Sequence, residues 1–502
     1  MEILKFVWDR TIAFLNTMPK AVRKNKGQFF TSIETAKYMA SLFDAELLKD
    51  EISILDPGCG TGMLSAAFLE RIQEIKRIKK VHLTCYETDT EVLPVLQENL
   101  EFIKNNVTFE LFFVIKNEDY LLSQSDDFNY YLGANTQSAE AKYDVIIGNP
   151  PYLKISKDNP AAQQMRSVVH GAPNLYFLFC AMSLFNLKNE HEMVYIIPRS
   201  WTSGAYFKAF RDYLLLHGKI TQVHLFVSRD KVFSEEQVLQ ETIILKILKT
   251  KKYIKYVRLT SSQSNNDFDE ISSLEVPYDS VVNGKDNYVF LPTNVDEISV
   301  IKNINRYSQT LPDIGLKMKT GIVVDFRQHE FLREKEELDT VPLFYSQHIK
   351  NGRVNHLPSG KEYDWLSVKN RGLIQENKNY VFCKRFTAKE EPRRLQCGIF
   401  LSADFSEHEN IGTQNKINFI EDITKKHLTE SEVYGIYALL NSTLFDKYYR
   451  ILNGSTQVNS TEINNIPVPP RNMIVHIGNL LKNNGNLSTE ECDKIIKEVA
   501  YE

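Results

Sequence analysis

The first half of the sequence predicts an α/β fold, a mostly parallel sheet covered by helices, on three observations. Short β-rich runs alternate with helical patterns between Ile52 and Ile247, as strands joined by crossover helices do. A glycine-rich turn follows the first run, and an Asn-Pro-Pro-Tyr turn follows the third. Both turns stand where a parallel strand ends, the edge at which open α/β sheets bind their ligands.

The strands are read at Ile52 to Leu55, Val81 to Tyr86, Asp144 to Ile147, Met193 to Ile197 and Thr242 to Ile247. Between them, Glu91 to Ile103, Leu175 to Leu187 and Ala205 to Leu216 carry apolar residues at helical spacing. Ser123 to Lys142 is polar and irregular and reads as a surface insertion. From Thr260 to Asn287 Ser, Asn and Asp dominate without a period, so a linker at 256–290 is expected to separate a first domain, 1–255, from a second, 291–470. The second is rich in aromatic and basic residues but has neither repeat nor alternation. Residues 471–502 read as a helical tail, two short helices broken at Asn483 to Asn486.

Length and composition bound the function. A chain of 502 residues exceeds what one core usually fills, so two or three folded units are expected. Its six cysteines show no short paired spacing, which excludes a zinc cluster and a disulfide framework and fits a reducing cytoplasm. The apolar Ile3, Leu4, Phe6 and Val7 are soon interrupted by Asp9 and Arg10, and no other apolar run is long enough for a bilayer. A net charge of -4 does not advertise a nucleic-acid partner, yet Val341 to Phe400 holds 11 Lys or Arg against 5 Asp or Glu. That stretch can face phosphates or solvent.

Three constellations carry chemistry. In Asp56, Pro57, Gly58, Cys59, Gly60, Thr61 and Gly62 the glycines let backbone approach a ligand closely. No Lys follows in the arrangement of a phosphate-cradling loop, so ATP and GTP are disfavoured. The second strand ends in Glu87 and Thr88, about 25 residues later, near the spacing at which a carboxylate reaches ribose hydroxyls; Asp89 beside them reads as a surface bystander. The third is Asn149, Pro150, Pro151 and Tyr152. An amine conjugated to an aromatic ring is a poor nucleophile and needs acceptors that draw its lone pair out of the ring. The Asn149 side-chain oxygen and the Pro150 carbonyl supply two, and Tyr152 can stack on the base. A base inside a duplex must first be flipped out, at a cost of a few kcal/mol, of which stacking offsets about 1 to 3 kcal/mol.

On these motifs the chain resembles the gamma group of N6-adenine DNA methyltransferases, and in particular type II restriction-modification methylases of the PstI and BsuBI kind. The resemblance extends to Gly27, Gln28, Phe29, Phe30 and Thr31, similar to the family's N-terminal cofactor element, with Ser32 where the family has proline. It also extends to Asn117, Glu118, Asp119 and Tyr120, where Asp119 would contact the cofactor's adenine amine. Ile197, Pro198, Arg199, Ser200 and Trp201 resemble a structural strand end, and Phe233 the second aromatic that sandwiches the flipped base.

The resemblance implies a Rossmann-like class I methyltransferase domain with a mostly parallel seven-stranded sheet, plus a C-terminal target-recognition domain. It implies S-adenosyl-L-methionine as cofactor, held by Thr31, Asp56, Gly58, Gly60, Glu87, Thr88, Asp119, Tyr120 and Pro151, and catalysis by Asn149, Pro150, Tyr152 and Phe233. No metal is needed. The expected partners are double-stranded DNA and a separate cognate restriction endonuclease, for a monomer in the bacterial cytoplasm. In the second half Thr320 to Arg327, Tyr380 to Phe386 and Asn453 to Asn459 are similar to target-recognition blocks, with Lys384, Arg385, Lys389, Arg393, Arg394, Gln457 and Asn459 expected on DNA. Ser455 departs from the family's histidine. Cys59 reads as a packing residue, and transfer is expected to be direct.

Three other readings stay open on sequence. A protein glutamine methyltransferase shares the Asn149 to Tyr152 pattern but leaves the second half unexplained. An RNA amine methyltransferase is another. A non-catalytic DNA-binding specificity protein would need a degenerate pocket, against the intact Asp56, Gly58, Glu87, Asp119, Asn149 and Tyr152.

Overall fold

The computed structural model describes residues 2–18, 27, 30–134, 142–171, 173–226, 241–265, 267–388, 390–424 and 426–501. The chain forms two compact units, Met1–Thr293 and Asn294–Glu502.

The first unit is built on a nine-stranded sheet: β1 (Glu51–Pro57), β2 (Lys80–Tyr86), β3 (Glu110–Lys116), β4 (Tyr143–Gly148), β5 (Leu187–Pro198), β6 (Lys219–Phe226), β7 (Thr242–Leu248), β8 (Tyr256–Ser262) and β9 (Ser272–Pro277). The spatial order is β3-β2-β1-β4-β5-β7-β6-β8-β9. The first five strands are mutually parallel, β7 runs against both its neighbours, and β8 is parallel to β6. This is the predicted α/β class with a mainly parallel sheet, with two strands beyond the expected seven. The extra pair, β8 and β9, lies in the stretch read as a linker. β9 is an antiparallel edge strand in which Val276 alone is buried, so its Ser-rich sequence meets solvent and carries no alternation.

Five helices matter for the site: α1 (Ile3–Thr17), α2 (Ile33–Ser41), α3 (Met63–Ile72), α4 (Leu93–Asn106) and α5 (Leu175–Asn186). Ile54, Phe68, Leu96, Ile147 and Val194 are fully buried in one core with Ile3, Leu4 and Val7 of α1. The N-terminal apolar residues are thus a core stripe. Ser32, where the family has proline, caps α2 by accepting the Thr35 N–H at 3.3 Å. Within the expected surface insertion, Ser125–Ala134 is a helix that buries Phe128 against Phe185. No helix among the described residues is long and apolar enough to cross a membrane.

The second unit contains a six-stranded and a five-stranded sheet of short strands. Helix Glu430–Asn441 packs on helix Arg471–Asn484 through Gly435 and Gly478. A Cβ at either glycine would fall within 2 Å of backbone oxygen, 1.9 Å at Gly435 and 1.7 Å at Gly478, so this crossing admits no side chain. The predicted tail is Arg471–Asn484 followed by Thr489–Tyr501, with Gly485 at φ 77 ending the first helix.

Candidate functional site

Strand order reverses between β1 and β4, so the loops after these two strands diverge and leave a crevice at their carboxyl ends. A cavity of about 460 Å³ occupies it, within the range of small-molecule sites. Thr31, Asp56, Gly58, Gly60, Glu87, Thr88, Asp119, Tyr120 and Pro151 all line it, with Asn149 at its edge. Every residue expected to hold a cofactor therefore faces one space, although the residues lie up to 120 positions apart.

The glycine turn is held by its neighbours. Gly58 and Cys59 both donate to the Tyr86 carbonyl, at 2.9 and 3.0 Å, and Gly60 N–H donates to Glu87 Oε2 at 2.9 Å. The second Glu87 oxygen accepts from Asp89 N–H at 2.8 Å. Each carboxylate oxygen keeps a further acceptor site, and burial pushes the carboxyl up. Gly58 stands at φ +70, a conformation that side-chain-bearing residues rarely adopt, although a Cβ there would only touch Phe179 and Pro151 at ordinary contact distance. Asn99 of α4 donates to the Thr61 carbonyl at 2.9 Å, and Thr61 and Thr11 hydroxyls meet at 2.7 Å, so α1 and α4 brace the turn from behind.

Asp119 caps the short helix Tyr120–Ser123, its Oδ1 accepting from Leu121 and Leu122 N–H. Tyr120 is buried edge-on to Tyr86 at 5.0 Å and beside Phe179 at 5.4 Å, and its hydroxyl accepts from Asn186. These rings make an aromatic wall in a cavity whose other wall is acidic. Asp56, Glu87, Asp89, Glu118 and Asp119 line it, and among the described residues no Lys or Arg does. These acceptors fit a ligand with hydroxyls, an amine and positive charge. Asp89, read as a bystander, is one of them. Leu175 and Phe179 of α5 also line it and carried no sequence signal, since a helix of apolar residues reads only as core.

Asp56 Oδ2 accepts from the Ser65 hydroxyl at 2.7 Å, whereas Oδ1 is buried without a hydrogen bond. Burial pushes its carboxyl up to about 7. Folding thus favours the neutral acid: its stabilisation is complete below the unfolded value of about 4 and is lost as pH rises through about 7. The ligand-free protein is expected to lose about 2 to 3 kcal/mol from this group between about pH 5 and pH 8. An Asp56→Asn variant should lack that component, as differential scanning calorimetry across the range would reveal.

After β4, Asn149 donates its amide N–H (Nδ2) to Thr31 Oγ1 at 3.1 Å. Tyr152 N–H donates to the Gly27 carbonyl at 3.1 Å, and the Tyr152 hydroxyl to the Ile196 carbonyl on β5 at 3.0 Å. Among the described residues no main-chain N–H donates to the Pro150 carbonyl. Arg199 and Glu241 form a buried ion pair at 3.3 Å that ties the end of β5 to the start of β7, a structural role as the sequence implied. Phe233, Gln28 and Phe29 lie outside the described residues. Among the described residues no group of side chains could hold a metal ion.

In the second unit, the Thr320 to Arg327 and Tyr380 to Phe386 blocks meet on the turn Gln414 to Lys416, and the Asn453 to Asn459 block joins the second of them. Asn415 N–H donates to Val323 O, Arg385 N–H to Lys416 O, and Val458 N–H to Arg385 O, at 2.8, 2.9 and 2.7 Å. Phe386 bridges Gln457. Phe326 is 81% exposed and Phe386 45%, each with the neighbouring guanidinium of Arg327 or Arg385 over its ring, and Lys416 is exposed beside them. Lys384 and Arg385 are half-buried, as are Gln457 and Asn459.

One expected DNA contact is corrected here. Arg394 is fully buried, donating to Thr387 Oγ1 and to the Asn453 and Ser455 carbonyls over the face of Tyr449. Its guanidinium is held by oxygens inside the unit, a use for which the five-donor fork is suited. Arg393 is half-buried and donates to the Leu440 and Ser442 carbonyls and to Thr489. Lys389 lies outside the described residues.

The strand order and the cavity at the β1 and β4 ends place a ligand-sized site where open α/β sheets bind their ligands. Residues 69–233 match the family model described as Eco57I restriction-modification methylase. The chain is 33% identical over 494 residues to the type II methyltransferase M.BsuBI of Bacillus subtilis, covering 95% of each chain. It is also 33% identical over 494 residues to the type II methyltransferase M.PstI of Providencia stuartii, covering 96% of this chain and 94% of that one. A solved structure of a nuclease-deletion mutant of the Type ISP restriction-modification enzyme LlaGI, in complex with a DNA substrate mimic, aligns with a TM-score of 0.49 at 14% identity over 91% of this chain and 54% of that one. The chain belongs to the type II methyltransferases of the restriction-modification kind.

Proposed function

We propose that the chain methylates the exocyclic N6 amine of adenine in double-stranded DNA, as the modification enzyme of a type II restriction-modification system. The observation that carries this reading is the Asn149 to Tyr152 turn, set at a strand end on the rim of an acidic, aromatic cavity. Bound there, S-adenosylmethionine supplies an electrophilic methyl group on a sulfonium. The acidic lining matches its positive charge, Glu87 its ribose hydroxyls and Asp119 its adenine amine.

The flipped adenine stacks on Tyr152, and Asn149 Oδ1 and the Pro150 carbonyl accept its two N–H bonds. Loss of conjugation would raise the nucleophilicity of the amine toward the methyl carbon; as the N–C bond formed the C–S bond would break, the neutral thioether S-adenosylhomocysteine would leave, and the amine's surplus proton would pass to water. Cys59 takes no covalent part, because burial holds its thiol protonated. A separate endonuclease of the same recognition sequence is the natural companion of such an enzyme.

The aromatic and basic edge of the second unit is assigned to the duplex. Lys384→Ala, Arg385→Ala and Lys416→Ala are each expected to weaken binding to all sequences alike and to lower the slope of log K against log salt by about 1. Arg393→Ala should leave that slope unchanged; fluorescence anisotropy over a salt series measures it. The reaction itself is tested by incubating purified protein, labelled cofactor and genomic DNA, then digesting to nucleosides. Label in N6-methyladenine is expected; label in cytosine, RNA or protein overturns the proposal.

A further inference from the structure

A single large apolar side chain in water is ordinary on a protein surface. Phe326 differs in what lies beneath it. Its ring is 81% exposed, yet the chain on either side is fastened. Gly321 lies so close to the turn Gln414 to Lys416 that a Cβ there would collide with the Gln414 carbonyl. Val323 gives both of its main-chain groups to the same region, donating to Thr413 O at 2.9 Å and accepting from Asn415 N–H at 2.8 Å. The backbone then closes on itself, with Arg327 and Gln328 N–H both donating to Val324 O, at 2.9 and 3.1 Å. Next to the ring in sequence, Asp325 accepts from Gln414 Nε2 at 3.3 Å. One phenyl ring is thus held out in water on a fixed base, and little backbone freedom remains to be lost when the ring is bound.

The charge around the ring selects what binds it. Across Thr320 to Arg327, Tyr380 to Phe386 and Gln414 to Lys416 the charged residues are Arg327, Lys384, Arg385 and Lys416 against Asp325 alone. The Arg327 guanidinium lies 5.5 Å from the Phe326 ring centroid, and that of Arg385 5.6 Å from the Phe386 centroid. An apolar protein surface would have to bury these cations without counter-charge. A duplex brings phosphates to the cations and base faces to the ring. Phe386 is less suited to enter it, being 45% exposed and bridged through its backbone to Gln457.

We propose that Phe326 is an apolar wedge that enters a base step of the bound duplex and unstacks it. The proposal rests on the assignment of this edge to DNA and adds what the ring does there. Unstacking a step is costly, and a wedge offsets that cost by its own stacking and by the phosphate contacts that the opened duplex brings. Arg327 supplies such a contact from the adjoining position. A ring that only lay along a groove would add affinity and leave every base stacked. A wedge adds affinity and opens one step.

The test uses the full chain and duplexes containing the sequence that the wild type methylates. In these, 2-aminopurine, which fluoresces more strongly when it loses its stacking partners, replaces one adenine at a time outside the target position. At saturating protein, the wild type is expected to brighten 2-aminopurine severalfold at one step. Phe326→Ala should abolish that rise and weaken binding about tenfold or more. Its slope of log K against log salt should stay unchanged, because no charge is lost. Phe326→Leu, which keeps a side chain of the kind that wedges, should retain most of the rise. A rise that is equal in wild type and Phe326→Ala, or absent in both, overturns the wedge while the adenine reading stands. Wild-type affinity in Phe326→Ala does the same. Binding that fails on every duplex, with no adenine modified, overturns both.

Discussion

Asn149→Ala is expected to reduce methyl transfer at saturating cofactor by about a hundredfold or more, while cofactor affinity changes only a few-fold. The asymmetry follows from position. Asn149 touches the cavity at its rim, where Thr31 holds its amide. Asp56, Glu87, Asp119 and Tyr120 also line the cavity, and the contacts proposed for them do not involve Asn149. The alanine deletes an acceptor needed only as the amine leaves conjugation, so the loss falls on the transition state more than on either ligand. Single-turnover kinetics with calorimetric titration of S-adenosylhomocysteine separate the two quantities. Wild-type turnover in the variant would contradict the account of the clamp.

Arg394→Ala is expected to destabilise the second unit by about 3 to 5 kcal/mol. The guanidinium is fully buried, and its removal leaves the Asn453 and Ser455 carbonyls without their donor and a gap against Tyr449. Lysine should not rescue it, because one ammonium cannot reach the Thr387, Asn453 and Ser455 oxygens in a fixed fork. Urea denaturation followed by fluorescence gives the stability change. A phosphate contact would behave oppositely, with unchanged stability and a shallower salt dependence of DNA binding.

That contrast shows where the sequence was legible. The glycine turn and the Asn149 to Tyr152 turn were readable because each is local: a strand, a break and a chemical requirement within a few residues. Their convergence was readable too, since parallel strands deliver their carboxyl ends to one edge. Arg394 was misread because two of its partners lie 59 and 61 residues away, at Asn453 and Ser455. A pair of adjacent arginines looks the same whether it faces phosphate or carbonyl.

β9 exposes three of its six residues, and with one face in water it needs no apolar run. The edge strand β3 does carry one, Leu111 to Ile115, although Phe112 is 47% and Val114 55% exposed. The second unit resisted for another reason. Its six-stranded sheet pairs Leu316–Thr320 with Ile417–Asp422, about a hundred residues apart, and several of its strands are only two or three residues long. Short strands with remote partners leave no periodicity to read. The turn at Gln414 to Lys416, which joins the Thr320 to Arg327 and Tyr380 to Phe386 blocks, is invisible without that pairing.

The central claim is tested most directly on the product of the reaction. The protein is expressed in cells that lack adenine methylation, and their DNA is digested to nucleosides for mass spectrometry and sequenced for modified positions. N6-methyldeoxyadenosine confined to one short recurring sequence, and absent when Asn149→Ala is expressed instead, is the predicted result. DNA whose adenines stay unmodified while the protein methylates RNA or a polypeptide would contradict it.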